Sequence, residues 1–128
     1  MAQNRILIIS PKPHLRIDIR TSLDGRDYTV FEASRWDEAL AYMERVPPTL
    51  IFFDLDISPE DTLLFLEQAP MGPTAPYEIV GLSSSSDSSK YEIPMEMGVQ
   101  HILPLPLDSK RIEILTRQII HLREMLQQ

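Results

Sequence analysis

Along the chain, short runs of β-forming apolar residues alternate with segments whose apolar residues recur every three or four positions. Arg5-Ile6-Leu7-Ile8-Ile9 predicts a first strand, and Leu15, Ile19, Ser22 and Leu23 then share one face of a helix that Gly25 ends. Tyr28-Thr29-Val30-Phe31 predicts a second strand. The helix after it carries Trp36, Ala39, Leu40 and Met43, with Ser34 placed to cap it and Pro47-Pro48 to close it. Leu50-Ile51-Phe52-Phe53-Asp54 is apolar up to its last residue, which fits a central strand covered on both faces. Asp61 can cap a short helix through Leu63, Leu64 and Leu66. The stretch Ala69 to Tyr77, with three prolines and one glycine, reads as a loop. Glu78-Ile79-Val80-Gly81-Leu82 and Gln100-His101-Ile102-Leu103 predict a fourth and a fifth strand. Between them, Ser83 to Gly98 opens on a serine run and is interrupted by Pro94, which argues for a short or broken helix. A long C-terminal helix runs from Ser109. Five strands alternating with helices imply an α/β fold: a five-stranded parallel sheet, doubly wound between helical layers, as a single domain over residues 1–128.

Composition narrows the function classes. At 128 residues and 43% hydrophobic, the chain can bury a full core. With 19 acidic against 12 basic residues and a formal charge of -7, it lacks the clustered Lys and Arg that a nucleic-acid surface needs, so no nucleic-acid partner is expected. There is no cysteine, which excludes disulfides and thiolate metal sites and fits a reducing, cytoplasmic setting. Met1 to Arg5 is polar, and no apolar run approaches the ~20 residues of a membrane span. Only four glycines are present, and none forms a phosphate-binding loop.

Candidate chemistry centres on Asp54, because parallel α/β sheets place ligands beyond the carboxyl ends of their strands. The order and spacing of the elements, with Asp54 after the third strand, Ser83 29 residues on (83 - 54) after the fourth, and Pro106 after the fifth, resemble the CheY-like receiver domain of two-component response regulators over essentially the whole chain. The resemblance implies a flavodoxin-like (βα)5 fold and a phosphorelay role. Asp54 then matches the phospho-acceptor and Ser83 the hydroxyl that contacts the phosphoryl group. Other positions depart from the pattern. The acidic pair that would hold Mg²⁺ falls on Ser10 and Pro11, and the lysine expected before Pro106 is Leu105. The aromatic switch residue of the fifth strand is replaced by Ile102, and the proline expected four residues after the acceptor is Pro59, five on.

Phosphoryl transfer to a carboxylate needs a divalent cation to offset charge, and Mg²⁺ prefers carboxylate and phosphate oxygens. Ser10 offers a neutral hydroxyl and Pro11 nothing, so any metal would rest weakly on Asp54. Leu105 leaves a phosphorylated Asp54 without a fixed cationic partner. The expected product is a degenerate pseudo-receiver with no cofactor, Mg²⁺ entering only if the residual site works, and with no enzymatic activity of its own. A receiver that still takes phosphate weakly on Asp54 is the alternative. Asp54 can instead be an inherited carboxylate satisfied by nearby backbone N–H groups or by Ser10. Asp56 can serve as an auxiliary ligand, although solvation in its loop is the simpler reading. Ser83 opens the run Ser83-Ser84-Ser85-Ser86, a pattern also typical of a loop with a helix cap. His14 and His101 have no second ligand nearby in sequence, and His101 is expected at a sheet edge or the surface. Phe53-Asp54-Leu55-Asp56 with Ser83 also resembles the nucleophile motif of haloacid-dehalogenase-like phosphohydrolases, in which the second Asp is the acid or base. That family's motif follows the first strand, and only 45 residues (128 - 83) remain after Ser83 to supply its later acidic pair.

The last helix repeats Ile112, Leu115, Ile119, Leu122 and Leu126 at intervals of three, four, three and four, the spacing of a coiled-coil seam. Residues from about 119 to 128 are therefore expected to begin a linker to a following domain or a dimer contact. The resemblance implies a protein partner or output domain on the face of the fourth helix, fifth strand and fifth helix. That face would include Leu103 and Leu107 besides the seam.

Overall fold

In the computed structural model, which describes residues 4–69 and 75–126, five parallel strands and five α-helices alternate along the chain. They are β1 (Asn4–Ile9), α1 (Pro13–Ser22), β2 (Tyr28–Ala33), α2 (Trp36–Arg45), β3 (Leu50–Asp54), α3 (Pro59–Gln68), β4 (Glu78–Ser83), α4 (Glu92–Glu96), β5 (His101–Pro104) and α5 (Ser109–Leu126). The sheet order is β2-β1-β3-β4-β5, with every neighbouring pair parallel. The doubly wound α/β sandwich expected from the sequence is thus the observed fold.

Alternate residues of each strand feed opposite faces of the sheet. Ile6, Ile8, Leu50, Phe52 and Val80 pack with Leu15 and Ile19 of α1 and Ile112, Ile119 and Ile120 of α5. Leu7, Ile9, Ile51, Phe53 and Ile79 pack with Ala39 of α2 and Phe65 and Leu66 of α3, where Phe53 and Phe65 stack with ring centroids 4.7 Å apart. All five β3 residues, Asp54 included, are buried. Central position therefore accounts for the unbroken apolar run that leads to the carboxylate.

Several local expectations are corrected. The N-cap of α2 is Arg35, with no side-chain cap bond, so Ser34 does not cap it. The cap of α3 is Ser58, whose Oγ accepts the Asp61 N–H at 3.1 Å; Pro59 follows at the first helical position, where its missing N–H costs nothing. Asp61 instead accepts the Trp36 indole N–H at 3.1 Å. The segment after Ser83 does break: a 3₁₀ turn, Ser88–Tyr91, leads into the five-residue α4, with Pro94 in its first turn, where an amide hydrogen is not required. Of the loop expected over Ala69 to Tyr77, residues 70–74 lie outside the described residues, as do 1–3 and 127–128.

The C-terminal seam is largely absorbed by the domain itself. Leu103, Ile112 and Ile119 are core residues and so not free for a partner, and Leu107 and Leu115 pack partly against the same cluster. Only Leu122 and Leu126 of the seven are exposed. The helix stays on the domain past residue 119: Ile120 is buried, and Arg123 donates to the Ala75 carbonyl at 2.8 Å.

Candidate functional site

Four neighbouring strands, β1, β3, β4 and β5, end side by side. The Ser10 N–H donates to Ala33 O at 3.0 Å, extending the β1–β2 ladder by one residue; Leu55 N–H donates to Leu82 O at 2.8 Å, and Leu105 N–H to Ser83 O at 2.9 Å. This pairing brings Ser10, Asp54, Ser83 and Leu105 together at the carboxyl edge of the sheet.

Asp54 is fully buried, and both of its oxygens are engaged. Oδ2 accepts from Ser10 Oγ at 2.7 Å, and Oδ1 accepts from the Asp56 N–H at 2.8 Å. The Lys12 ammonium lies 3.4 Å from Asp54 Oδ2 and 3.9 Å from Asp56 Oδ2. A buried carboxylate needs such partners, because desolvation of an unpaired charge costs several kcal/mol, on the order of the whole margin of stability. Ser10 and backbone N–H groups were expected as partners of Asp54; Lys12 was not. Its signal was the triplet Pro11-Lys12-Pro13. A residue before proline is held out of the helical region, and Lys12 has φ -92° and ψ 110° at the start of α1. Its N–H donates to Ser10 Oγ at 3.1 Å, and Arg16 Nη1 fixes the same turn by donating to Ser10 O at 2.7 Å. The backbone beneath the ammonium is thereby preset.

Asp56 is not a solvated loop residue. Its Oδ1 accepts from Ser83 Oγ at 3.1 Å and its Oδ2 from the Ser84 N–H at 2.9 Å. Burial would raise the pKa of this carboxyl, but hydrogen bonds from Ser84 and Ser83 and the charge of Lys12 outweigh that and hold it below its usual value. Ser83 therefore meets Asp56 and ties the loop after β3 to the loop after β4. Its Oγ also accepts the Ser85 N–H at 3.1 Å, the turn chemistry a serine run favours.

Leu105 turns into the core cluster shared by α1 and α5, and its peptide bond to Pro106 is cis. Ile102 packs in the opposite cluster, over Gly81. A Cβ on Gly81 would lie 2.6 Å from Leu55 Cδ1 and 3.0 Å from Ile102 Cδ1, so the absent side chain makes room for both. His14 is exposed on α1, and His101 pairs its Nε2 with Glu78 Oε1 at 3.1 Å. A cavity of about 630 Å³ between α3 and α4 reaches Asp56 and Ser83, and a second of about 360 Å³ reaches Ser10, Pro11 and Asp56. Asp54 lines neither of them.

The resemblance to receivers implies Mg²⁺, and the donor set does not fit it. The Ser10 hydroxyl is committed to Asp54, Pro11 has no donor, and a cationic side chain stands against both carboxylates. Among the described residues, no three His, Cys, Asp or Glu side chains converge as metal ligands.

No protein-family model and no curated protein matches the sequence. Solved structures do match. A CheY-like response regulator receiver domain from Methanospirillum hungatei aligns with a TM-score of 0.83 at 18% identity, over 97% of this chain and 98% of that one. The receiver domain of a putative LuxO repressor from Vibrio parahaemolyticus aligns at 0.81 and 19% identity, over 98% and 96%. NtrX from Brucella abortus aligns at 0.81 and 18% identity over 99% of this chain, which spans 28% of that larger one. At these identities the likeness is one of fold, and the fold is that of CheY-like receivers.

Proposed function

We propose that the chain is an atypical response-regulator receiver module, cytoplasmic and non-enzymatic, that signals by protein–protein contact without phosphorylation. The observation that carries this reading is the state of Asp54: a fully buried carboxylate whose two oxygens already accept hydrogen bonds from Ser10 and Asp56. An attacking carboxylate oxygen must be free and accessible to the donor phosphorus, and the charge that builds up must meet fixed cations. Here Leu105 supplies none, and Ser10 and Pro11 stand where acidic metal ligands would be needed. Contact would then use what the fold leaves exposed: Ile93 and Met95 on α4, and Leu122, Met125 and Leu126 on α5. An output domain, a separate protein or a second copy of the chain would cover such positions.

The weak-acceptor alternative has one observation in its favour, since Lys12 places an ammonium 3.4 Å from Asp54 Oδ2, within reach of a phosphoryl group there. The phosphohydrolase alternative is disfavoured because Asp56, held ionised, has no proton to deliver to a leaving group near neutral pH. Acetyl phosphate with Mg²⁺, followed by intact-mass spectrometry, separates the first two readings. The unmodified mass is expected. A phosphoryl adduct that disappears in Asp54→Asn would overturn phosphorylation-independence in favour of the weak acceptor.

A further inference from the structure

We propose that the Lys12 ammonium is the resident cation of this site: it stands where a divalent ion bridging Asp54 and Asp56 would have to sit, and so keeps such ions out. The inference deepens the receiver reading above and rests on it for the comparison with metal-binding sites.

The geometry is that of one cation shared by two carboxylates, Asp54 Oδ2 at 3.4 Å and Asp56 Oδ2 at 3.9 Å. A divalent ion bound to Asp54 Oδ2 would lie roughly 2.0–2.6 Å from that oxygen, depending on the ion. It would then share the same carboxylate face with a positive charge 3.4 Å from the oxygen, and beside the fully buried Asp54 that repulsion is only partly screened. Nor can the lysine easily withdraw its base. Proline on both sides, the Lys12 N–H bond to Ser10 Oγ and the Arg16 bond to Ser10 O hold the backbone, leaving only the side chain to swing away. The Lys12 side chain is 36% exposed while Asp54 is fully buried, so the lysine approaches the carboxylate from the solvent side. Removing the ammonium alone would leave two carboxylates and access for water, a set of hard oxygen ligands.

Mn²⁺ titration of the ¹⁵N-labelled chain, read as paramagnetic broadening of amide signals, tests the inference. The wild type is expected to show no saturable broadening centred on residues 10, 54 and 56. Lys12→Met keeps the aliphatic stem and removes the charge, and should show saturable broadening there with a Kd on the order of 10⁻³ M, the weak end for oxygen sites. Asp54→Asn added to Lys12→Met should abolish it, and Lys12→Arg should behave as the wild type. Saturable broadening around Asp54 in the wild type would overturn the inference. A folded Lys12→Met without broadening would do the same. Lys12→Gln serves in its place if the methionine variant does not fold, and the wild-type measurement decides independently of both. The outcome is separable from phosphorylation: a wild type that excludes Mn²⁺ yet gains phosphate from acetyl phosphate would defeat the phosphorylation-independent reading and leave the resident cation standing.

Discussion

Lys12→Met should destabilise the domain by about 1–3 kcal/mol, and most of that loss should return when Asp54→Asn is added. The pair is 3.4 Å apart, for which an effective dielectric of about 20 gives an attraction of roughly 5 kcal/mol. That figure is an upper bound, because the lysine side chain is 36% exposed and water replaces part of the lost interaction. Losing one partner of a fully buried pair costs about 3–5 kcal/mol, and losing an exposed pair about 0–1, which brackets the expected value. Asp54 would keep its bonds from Ser10 and Asp56 in the single variant but would remain a buried charge without a counter-ion. Asparagine at 54 removes that charge while its carbonyl can still accept the Asp56 N–H and its amide can donate to Ser10 Oγ. Asp54→Asn alone should therefore lie within about 1 kcal/mol of the wild type. Urea unfolding at pH 7, followed by far-UV circular dichroism on all four proteins, gives the coupling energy. A Lys12→Met loss below about 0.5 kcal/mol, or a double variant as unstable as the sum of the singles, would refute the claim that Lys12 neutralises Asp54.

Three other outcomes are expected. Gly81→Ala should lower stability by about 1–3 kcal/mol, since its Cβ meets Leu55 and Ile102, and Leu55→Ala in the same chain should restore part of it; unchanged thermal melting would refute the packing described there. Because the folded state holds the Asp56 carboxyl below its ordinary 3.8, the stability it contributes is fully present above that pH and is lost as pH falls through the lower folded value. Asp56→Asn should accordingly flatten the acid limb of a stability–pH curve, and an unchanged limb would contradict the Ser83–Ser84 cradle. Ile119→Ala should cost about 2–5 kcal/mol while Leu126→Glu stays within about 0.5, as measured by urea midpoints; the reverse order would contradict the division of α5 into core and exposed positions.

The strands were legible because central parallel strands are apolar on both faces, and β1, β3 and β4 announce themselves that way. Asp54 and Ser83 were legible for the same reason, as polar residues terminating such runs. Lys12 was not, because the receiver pattern puts its ammonium at position 105, and a lysine between two prolines carries no periodicity. Its meaning comes from β1 and β3 lying side by side, which brings residues 44 apart in sequence (54 - 10) into hydrogen bonding through Ser10 and Asp54. The Ser83–Asp56 bond was hidden likewise, since it joins loops after two different strands. In the last helix heptad-like spacing also describes a helix lying on a sheet: Ile112 and Ile119 are spent on the core, while Leu122 and Leu126 stay exposed. Caps depend on which residue takes the first helical turn, a shift of one to three positions that separated Ser58 from Asp61 and Arg35 from Ser34.

An amide NMR titration with Mg²⁺ and beryllofluoride, a mimic of the phosphoryl group, and with Asp54→Asn as the control, tests the central claim most directly. Unchanged shifts at Ser10, Asp54, Asp56, Ser83 and along β5 at millimolar ligand are the expected result for a receiver fold closed to phosphorylation. Shifts centred on those residues in the wild type and absent from Asp54→Asn would contradict it and make the domain a working phospho-switch.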